Sequence, residues 1–249
     1  MSVLAAEQLV KAFGGVRAVD GVSFRVAAGE IVALIGPNGA GKSTCFNLLN
    51  GQLAPDAGRI RLSGAEIAGL PPRAIQRLGV ARTFQITATF GSLTARENVQ
   101  VALLAAARRL ASPFASASAQ FREEAQALLA QVGLPQQADH TCAELAYGDL
   151  KRVELTVALA ARPRVLLMDE PTAGMAPAER GALMQLAARE ARRAGMAVLF
   201  TEHDMDVVFT HADRVLVMAE GRLIAEGAPA AVRADPRVRE VYLGSEADA

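Results

Sequence analysis

The stretch "IVALIGPNGAGKST", residues Ile31–Thr44, decides the fold of this 249-residue chain. It opens with an uninterrupted apolar run, which predicts a short strand buried on both faces. A glycine-rich segment follows and leads into the helical run Cys45–Asn50. That segment keeps the spacing G-x-x-x-x-G-K-[ST], with its fixed positions at Gly36, Gly41, Lys42 and Ser43. A strand, a glycine-rich turn and a helix in this order predict a loop that binds phosphate groups.

The predicted phosphate loop assigns chemistry to particular positions. Its glycines let the backbone surround phosphates with N–H groups, and the start of the following helix adds the positive end of its dipole. We expect Lys42 to reach the β- and γ-phosphates and Ser43 to bind Mg²⁺. The loop residues expected to contact the nucleotide are Gly36, Pro37, Asn38, Gly39, Ala40, Gly41, Lys42, Ser43 and Thr44.

Two carboxylates end a second apolar strand candidate, in "RVLLMDEP" at Arg164–Pro171. In a phosphate-loop protein this strand end lies beside the loop. Asp169 can then bind Mg²⁺ through water, and Glu170 can orient and deprotonate the attacking water. Such a pair alone is typical of a solvated turn, so the phosphate loop is what favours the functional interpretation. A carboxylate next to the metal ligand indicates hydrolysis rather than binding alone.

Polar residues also end two further strand candidates. His203 follows the apolar run Met196–Phe200, and Gln85 ends "ARTFQ". Open α/β sheets bind ligands at the carboxyl ends of their strands. A single histidine in such a place is usually structural, so both assignments depend on the motifs around them.

The order of strands and helices predicts an α/β fold. Alternating runs such as "VSFRV" at Val22–Val26 predict strands near the N-terminus. Three helical runs follow in succession, the first preceded by a capping box at Thr94–Glu97. Strands and helices alternate again after Pro163, up to a hairpin predicted at Arg214–Gly227. We expect a single domain in which a helical subdomain at 86–162 is inserted in an α/β core at 1–85 and 163–249.

Composition is that of a globular protein without a strong charge. The chain has 26 basic and 26 acidic residues, so its charge gives no reason to expect nucleic acid as a partner. Its two cysteines, Cys45 and Cys142, are too few for a disulfide framework and are expected to be buried apolar side chains in a reducing compartment. The reducing compartment that the cysteines indicate is the cytoplasm. We find no signal-peptide pattern and no apolar stretch near the ~18 residues of a membrane span, and therefore expect a protein that is soluble on its own.

Five motifs together resemble those of ATP-binding cassette (ABC) transporter ATPases. The phosphate loop, "RTFQ", "LAYGD", "VLLMDEP" and "TEHD" occur here in the order typical of that family. The resemblance covers essentially the whole chain. It implies a RecA-like P-loop NTPase core with an N-terminal antiparallel β subdomain and a helical signature subdomain. It also implies ATP and Mg²⁺ as cofactors and ATP hydrolysis coupled to transmembrane transport.

The resemblance assigns roles outside the phosphate loop. Phe13 resembles the aromatic residue that stacks on adenine, Gln85 the glutamine that touches Mg²⁺ and reports the nucleotide state, and His203 the histidine that contacts the γ-phosphate. The implied catalytic residues are Lys42, Gln85, Glu170 and His203. The implied metal ligands are Ser43, Gln85 and Asp169.

The "LAYGD" motif supplies the family's signature positions, which are Ala146, Tyr147, Gly148 and Asp149. In this family the signature acts in trans, so that two subunits enclose two ATP molecules head to tail. Ala146 stands where a serine is usual and removes one hydroxyl donor to the γ-phosphate, worth on the order of 1–2 kcal/mol. Ala176 is a second departure, because many members have Asp there and this subgroup often has Asn.

A narrower resemblance is to the ATP-binding subunits of branched-chain amino acid importers, through "KAFGGVRAVDGVSF", "DEPTAGMAP", "TEHDMDVVF" and "RVREVYLG". It implies transmembrane permease subunits as partners, together with a second ABC ATPase subunit in a homo- or heterodimer. An extracytoplasmic solute-binding protein would act indirectly. The chain would lie on the cytoplasmic face of the inner or plasma membrane, with permease contacts near Ile86–Val99.

Three alternatives stay open at this point. The chain can be the ATPase of another ABC transporter, for lipopolysaccharide, urea or another solute, because this subunit does not contact the solute. A soluble ABC ATPase acting on DNA or ribosomes typically carries coiled coils or tandem cassettes, whereas this chain has one phosphate loop and no sustained heptads. A module that binds nucleotide without hydrolysis is disfavoured by Glu170 and His203.

Overall fold

A computed structural model describes residues 2–83, 89–107 and 121–243. The strands are β1 (Ser2–Phe13), β2 (Val16–Ala27), β3 (Ile31–Ile35), β4 (Ala57–Leu62), β5 (Ala65–Glu66), β6 (Val80–Thr83), β7 (Val165–Asp169), β8 (Ala197–Thr201), β9 (Arg214–Ala219) and β10 (Arg222–Gly227). The helices are α1 (Lys42–Leu49), α2 (Pro72–Leu78), α3 (Ala95–Ala106), α4 (Arg122–Gln131), α5 (Tyr147–Ala160), α6 (Pro177–Ala194), α7 (Met205–His211), α8 (Pro229–Ala234) and α9 (Pro236–Leu243), with a short 3₁₀ turn at Cys142–Glu144.

A six-stranded sheet in the order β10-β9-β3-β8-β7-β6 forms the centre of the fold. Its strands are parallel except β10, which pairs antiparallel with β9. Every residue of β3 and β8 is buried, as expected for strands covered on both faces, and apart from Thr201 at the end of β8 these residues are apolar. Because parallel strands end at the same edge, the segments after β3, β7 and β8 converge there.

The central sheet separates two hydrophobic cores, and alternate residues of β3 enter each. Ile31, Ala33 and Ile35 pack with apolar residues of the helices on one face. Val32 and Leu34 pack on the other face with α1 and the N-terminal strands. This alternation follows from the two-residue period of a strand and explains why β3 carries no polar position.

The N-terminal strands form a second, four-stranded sheet in the order β2-β1-β4-β5. All of its pairings are antiparallel, which confirms the predicted antiparallel β sheet. The alternation in "VSFRV" is also confirmed, since Val22, Phe24 and Val26 are buried and the two residues between them are exposed.

Helices α3, α4 and α5 lie between β6 and β7 in the chain. The predicted capping box starts α3, with Thr94 Oγ1 accepting from Glu97 N at 3.1 Å and Glu97 Oε2 accepting from Thr94 N at 2.8 Å. The sequence around Pro113 predicts a break between the first two of the three helical runs, but it falls outside the described residues. Among the described residues, no helix combines the length and apolar character that crossing a membrane requires.

Two other local predictions are confirmed. The β9–β10 hairpin turns at Glu220 and Gly221, which both have positive φ (47° and 77°) as a two-residue hairpin turn demands. Both Cys45 and Cys142 are buried and free. Burial raises the pKa of the Cys45 thiol to about 12, so this cysteine behaves as an apolar side chain.

Candidate functional site

The fixed glycines of the phosphate loop are required by close backbone contacts. A Cβ at Gly36 would lie 2.1 Å from the carbonyl oxygen of Met218, and one at Gly41 would lie 2.0 Å from that of Ala18. Gly41 also has a φ of 100° and forms the N-cap of α1. The two glycines therefore let the loop pass close to β9 and β2 and turn directly into α1.

Lys42 lies inside this loop. Only 8% of Lys42 is exposed, and its Nζ donates to the carbonyl oxygens of Gly36 at 2.6 Å and Pro37 at 3.0 Å. Burial lowers the pKa of Lys42, and the charges of Glu170 and Asp169 oppose that shift. The ammonium group is thus within electrostatic reach of the acidic pair, as the motif spacing predicted. Ser43, next in the chain, is exposed at the start of α1.

Asp169 at the end of β7 is oriented by two donors. Arg82 Nη2 donates to its Oδ2 at 2.7 Å, and Thr201 Oγ1 donates to its Oδ1 at 2.8 Å. Arg82 Nη1 also donates to Asn47 Oδ1 on α1 at 2.7 Å and to Gln52 Oε1 at 3.0 Å. Sequence reasoning missed Arg82 and Thr201, although Arg82 lies within the quoted "ARTFQ" and Thr201 begins the segment "TEHD".

The structure brings Glu170 and His203 together. His203 Nε2 lies 2.8 Å from Glu170 Oε1, and the two residues follow the adjacent strands β7 and β8. Glu170 has a φ of 46°, in the left-handed region that costs a non-glycine residue about 1–2 kcal/mol. Its backbone N donates to the Thr201 carbonyl at 3.1 Å, which helps to hold this conformation. Strained residues of this kind cluster at functional sites.

The side chains at this edge fit a magnesium ion that is shared with bound phosphates. Among residues 2–83, 89–107 and 121–243, no group of three or more His, Cys, Asp and Glu side chains could hold a metal. Asp169 accepts a hydrogen bond on each oxygen, which leaves it suited to contact through water. Mg²⁺ prefers few protein ligands, several waters and substrate phosphates, and Asp169 with the exposed Ser43 hydroxyl meets that preference.

Helix α5 begins at Tyr147, within the stretch "LAYGDLKR" that contains the signature motif. Ala146 is the N-cap residue and has no side-chain acceptor, so no capping side chain occupies the N–H groups of the first turn. Tyr147 is 43% exposed, and its hydroxyl donates to the Ala173 carbonyl at 3.1 Å. A Cβ at Gly148 would lie 2.6 Å from Oε1 of Glu179 on α6, which is the end of a flexible side chain that can move aside, so this contact alone does not require a glycine.

Phe13 and Gln85 are the other two residues to which the resemblance assigns a role. Phe13 ends β1 at the β1–β2 hairpin and is 47% exposed, with Lys11 Nζ 5.7 Å from its ring centroid. This exposure leaves the Phe13 ring accessible for stacking, and its adenine contact stays a prediction. Gln85 lies outside the described residues, so its catalytic and metal-binding roles also stay predictions.

Comparison with known proteins connects this geometry to a family. The family model described as "ABC transporter" matches residues 19–173, and the one described as "Branched-chain amino acid ATP-binding cassette transporter" matches residues 222–248. The chain is 40% identical to the high-affinity branched-chain amino acid transport ATP-binding protein BraF of Pseudomonas aeruginosa, covering 97% of this chain and 98% of that protein. It is 37% identical to LivG of Escherichia coli, a protein with the same description, with the same coverage.

Solved structures agree with these relatives. An ATP-binding cassette of an ABC transporter in its ADP conformation is 33% identical, with a TM-score of 0.87 over 98% of this chain and 99% of the other. A nucleotide-free cassette is 32% identical, with a TM-score of 0.86 over 97% of this chain and 99% of the other. The likeness in both sequence and fold extends across the phosphate loop, the acidic pair and His203.

Proposed function

The chain belongs to the ABC transporter family, as an ATP-binding subunit that hydrolyses ATP, and from this premise we propose that it powers a membrane importer for branched-chain or related amino acids. The main support for a hydrolytic site is the 2.8 Å contact between His203 Nε2 and Glu170 Oε1, at the sheet edge where Lys42 also lies. The names of relatives 37–40% identical over 97% of the chain support the class of solute.

In the proposed mechanism, the loop Gly36–Thr44 surrounds the phosphates of ATP with backbone N–H groups. The Lys42 ammonium leaves its carbonyl partners for the β- and γ-phosphates, where it offsets their charge. Asp169 and Ser43 are the residues that would hold Mg²⁺, which would supply further neutralisation of the phosphate charge. In this reaction positioning and electrostatic stabilisation contribute most of the catalysis, and the loop backbone and Lys42 supply part of both.

Glu170 acts as the base in this scheme. A water attacks the γ-phosphorus, its proton passes to the Glu170 carboxylate, and the bond between the γ-phosphorus and the bridging oxygen breaks to leave ADP. His203 holds one oxygen of Glu170 and lies 52% exposed, where its ring can also meet the γ-phosphate. From the motif, Gln85 is assigned to the metal and to reporting the nucleotide state to the membrane subunits.

A second ATPase subunit completes each site in this proposal. The start of α5 carries Ala146, Tyr147, Gly148 and Asp149 and offers unoccupied backbone N–H groups to the γ-phosphate held by the partner. Since Ala146 lacks a hydroxyl, these backbone donors take a larger share of that contact. The working complex is a homo- or heterodimer arranged head to tail.

The permease contacts are assigned to residues near Ile86–Val99, within the helical subdomain proposed at 86–162 and inserted in a core at 1–85 and 163–249. Phe90 supports this surface, because a phenylalanine 59% exposed is a typical contact residue at an interface. The chain then lies on the cytoplasmic face of the membrane, and an extracytoplasmic binding protein delivers the solute to the permeases.

The transport assignment is tested in a strain that lacks the gene. Uptake of radiolabelled leucine should fall and should be restored by the wild-type gene, but not by the Glu170→Gln variant. Urea uptake in the same strains is the matched control for the alternative solute class. Unchanged leucine uptake with reduced urea uptake would overturn the solute assignment while leaving the ATPase assignment in place.

A further inference from the structure

The loop that follows Glu170 is bonded to the residue that precedes His203. This segment, Thr172–Ala176, is here named the 172–176 loop. Glu202 is 5% exposed, and its Oε1 accepts from the Thr172 backbone N at 2.8 Å and from Thr172 Oγ1 at 2.6 Å. Its Oε2 accepts from the His203 backbone N at 3.2 Å. A buried carboxylate is costly unless donors surround it, so these contacts define its position closely.

The residue after His203 is bonded to the other end of the same loop. Arg180 Nε donates to the Met175 carbonyl at 2.8 Å, and Arg180 Nη1 donates to Asp204 Oδ2 at 2.5 Å. Asp204 Oδ1 in turn accepts from two backbone N–H groups at the start of α7. His203 is therefore flanked on both sides by side chains that join it to the 172–176 loop.

The contact between His203 and Glu170 depends on this framework. Glu170 precedes the loop by one proline and carries a positive φ of 46°, a conformation that persists only when its surroundings hold it. Beyond the last residues of strands β7 and β8, the segments are joined by the contact of His203 with Glu170 and by the hydrogen bonds of Thr172 to Glu202. Displacements of about 1 Å in such a site can reduce rates by about 100-fold.

We propose that Glu202 is a positioning residue for ATP hydrolysis, which fixes the His203 ring against Glu170 by holding the His203 backbone and Thr172 together. This inference rests on the proposed hydrolytic roles of Glu170 and His203. If Glu202 only stabilised the fold, its replacement would lower the hydrolysis rate by the same factor with or without His203. If Glu202 acts through His203, its replacement has little effect once His203 is removed.

The test uses the purified full chain and measures ATP affinity and single-turnover hydrolysis separately. Glu202→Gln keeps the shape of the side chain but replaces one acceptor oxygen with an amide that cannot accept from a backbone N–H. We expect its hydrolysis rate to fall about 10-fold or more, with ATP affinity changed less than about threefold, because hydrogen bonds to a charged group are lost. In a His203→Ala background the same change should lower the residual rate by less than about twofold.

Matched controls separate this effect from general loss of stability. Glu190 is equally buried and accepts from Arg193 on α6, so Glu190→Gln removes a buried carboxylate outside the site. Thr172→Val removes the Oγ1 donor to Glu202 and should also lower the hydrolysis rate. It is the variant to measure if Glu202→Gln does not fold. Thr172→Ser keeps the hydroxyl and should restore the rate.

The outcomes distinguish this inference from the function on which it rests. Full hydrolysis by Glu202→Gln or by Thr172→Val, or a full additional loss in the His203→Ala background, would overturn the positioning role. Hydrolysis that persists in Glu170→Gln would instead remove the hydrolytic assignment itself.

Discussion

His203 Nε2 and Glu170 Oε1 lie 2.8 Å apart although 33 residues separate them in the chain. The contact joins the ends of β7 and β8, which are adjacent parallel strands in register from Val165 with Ala197 to Asp169 with Thr201. The sheet thus places a base candidate and an imidazole at the same edge as the phosphate loop after β3. Each of the following predictions tests one part of this arrangement.

Replacing Glu170 with Gln should abolish turnover while ATP binding persists. The amide cannot accept the water's proton, and loss of a general base typically costs about 10²–10⁴-fold in rate. Phosphate release measures turnover, and a fluorescent ATP analogue measures binding. The variant should also trap the ATP-bound dimer, which size-exclusion chromatography with ATP detects. Normal turnover would refute the assignment of Glu170 as base.

Lys42→Ala should weaken ATP binding about 10- to 100-fold, because the charge-assisted bonds to the phosphates are lost. Isothermal titration calorimetry with ATP measures the change. Arg162→Ala is a suitable control, since it removes an exposed cation that pairs with Glu124. Equal affinity in the wild-type and Lys42→Ala proteins would contradict the phosphate-loop interpretation.

Arg82→Met should destabilise the fold by about 3 kcal/mol, because it leaves the largely buried Asp169 carboxylate without its ion-pair partner. Urea unfolding measures this free energy. The ATPase rate should fall as well, since Asp169 also loses the orientation that the guanidinium provides. Wild-type stability together with a wild-type rate would show that the Arg82 contact is dispensable.

Ala146→Ser should add an N-cap to α5 and stabilise the chain by about 1 kcal/mol. The new hydroxyl should also tighten the ATP-bound dimer modestly. Dimerisation is measured by sedimentation in the Glu170→Gln background, where ATP is not consumed. If the free energy of unfolding rises but the dimerisation affinity is unchanged, the hydroxyl acts only as a helix cap and does not contact the phosphate bound by the partner.

Several features could be predicted because local patterns along the chain specify them. The apolar run Ile31–Ile35 predicted β3 at its observed bounds, and the capping box at Thr94 predicted the start of α3. The turn at Glu220 and Gly221 followed from hairpin chemistry. Each of these depends on side-chain periodicity or on backbone conformations of neighbouring residues, which the order of amino acids encodes directly.

Other features could not be predicted because they join residues far apart in the chain. Arg82 with Asp169, Glu202 with Thr172, and Glu179 against Gly148 each require the order of strands in the sheet and the packing of α6 on α5.

The sequence by itself determined the phosphate loop, the acidic strand end and the family to which they belong, because those depend on short-range spacing. Only the tertiary structure decided how the acidic pair is oriented and how His203 is held. Hydrogen bonds between distant residues form only once burial of the apolar strands has set their register and brought the strand ends together.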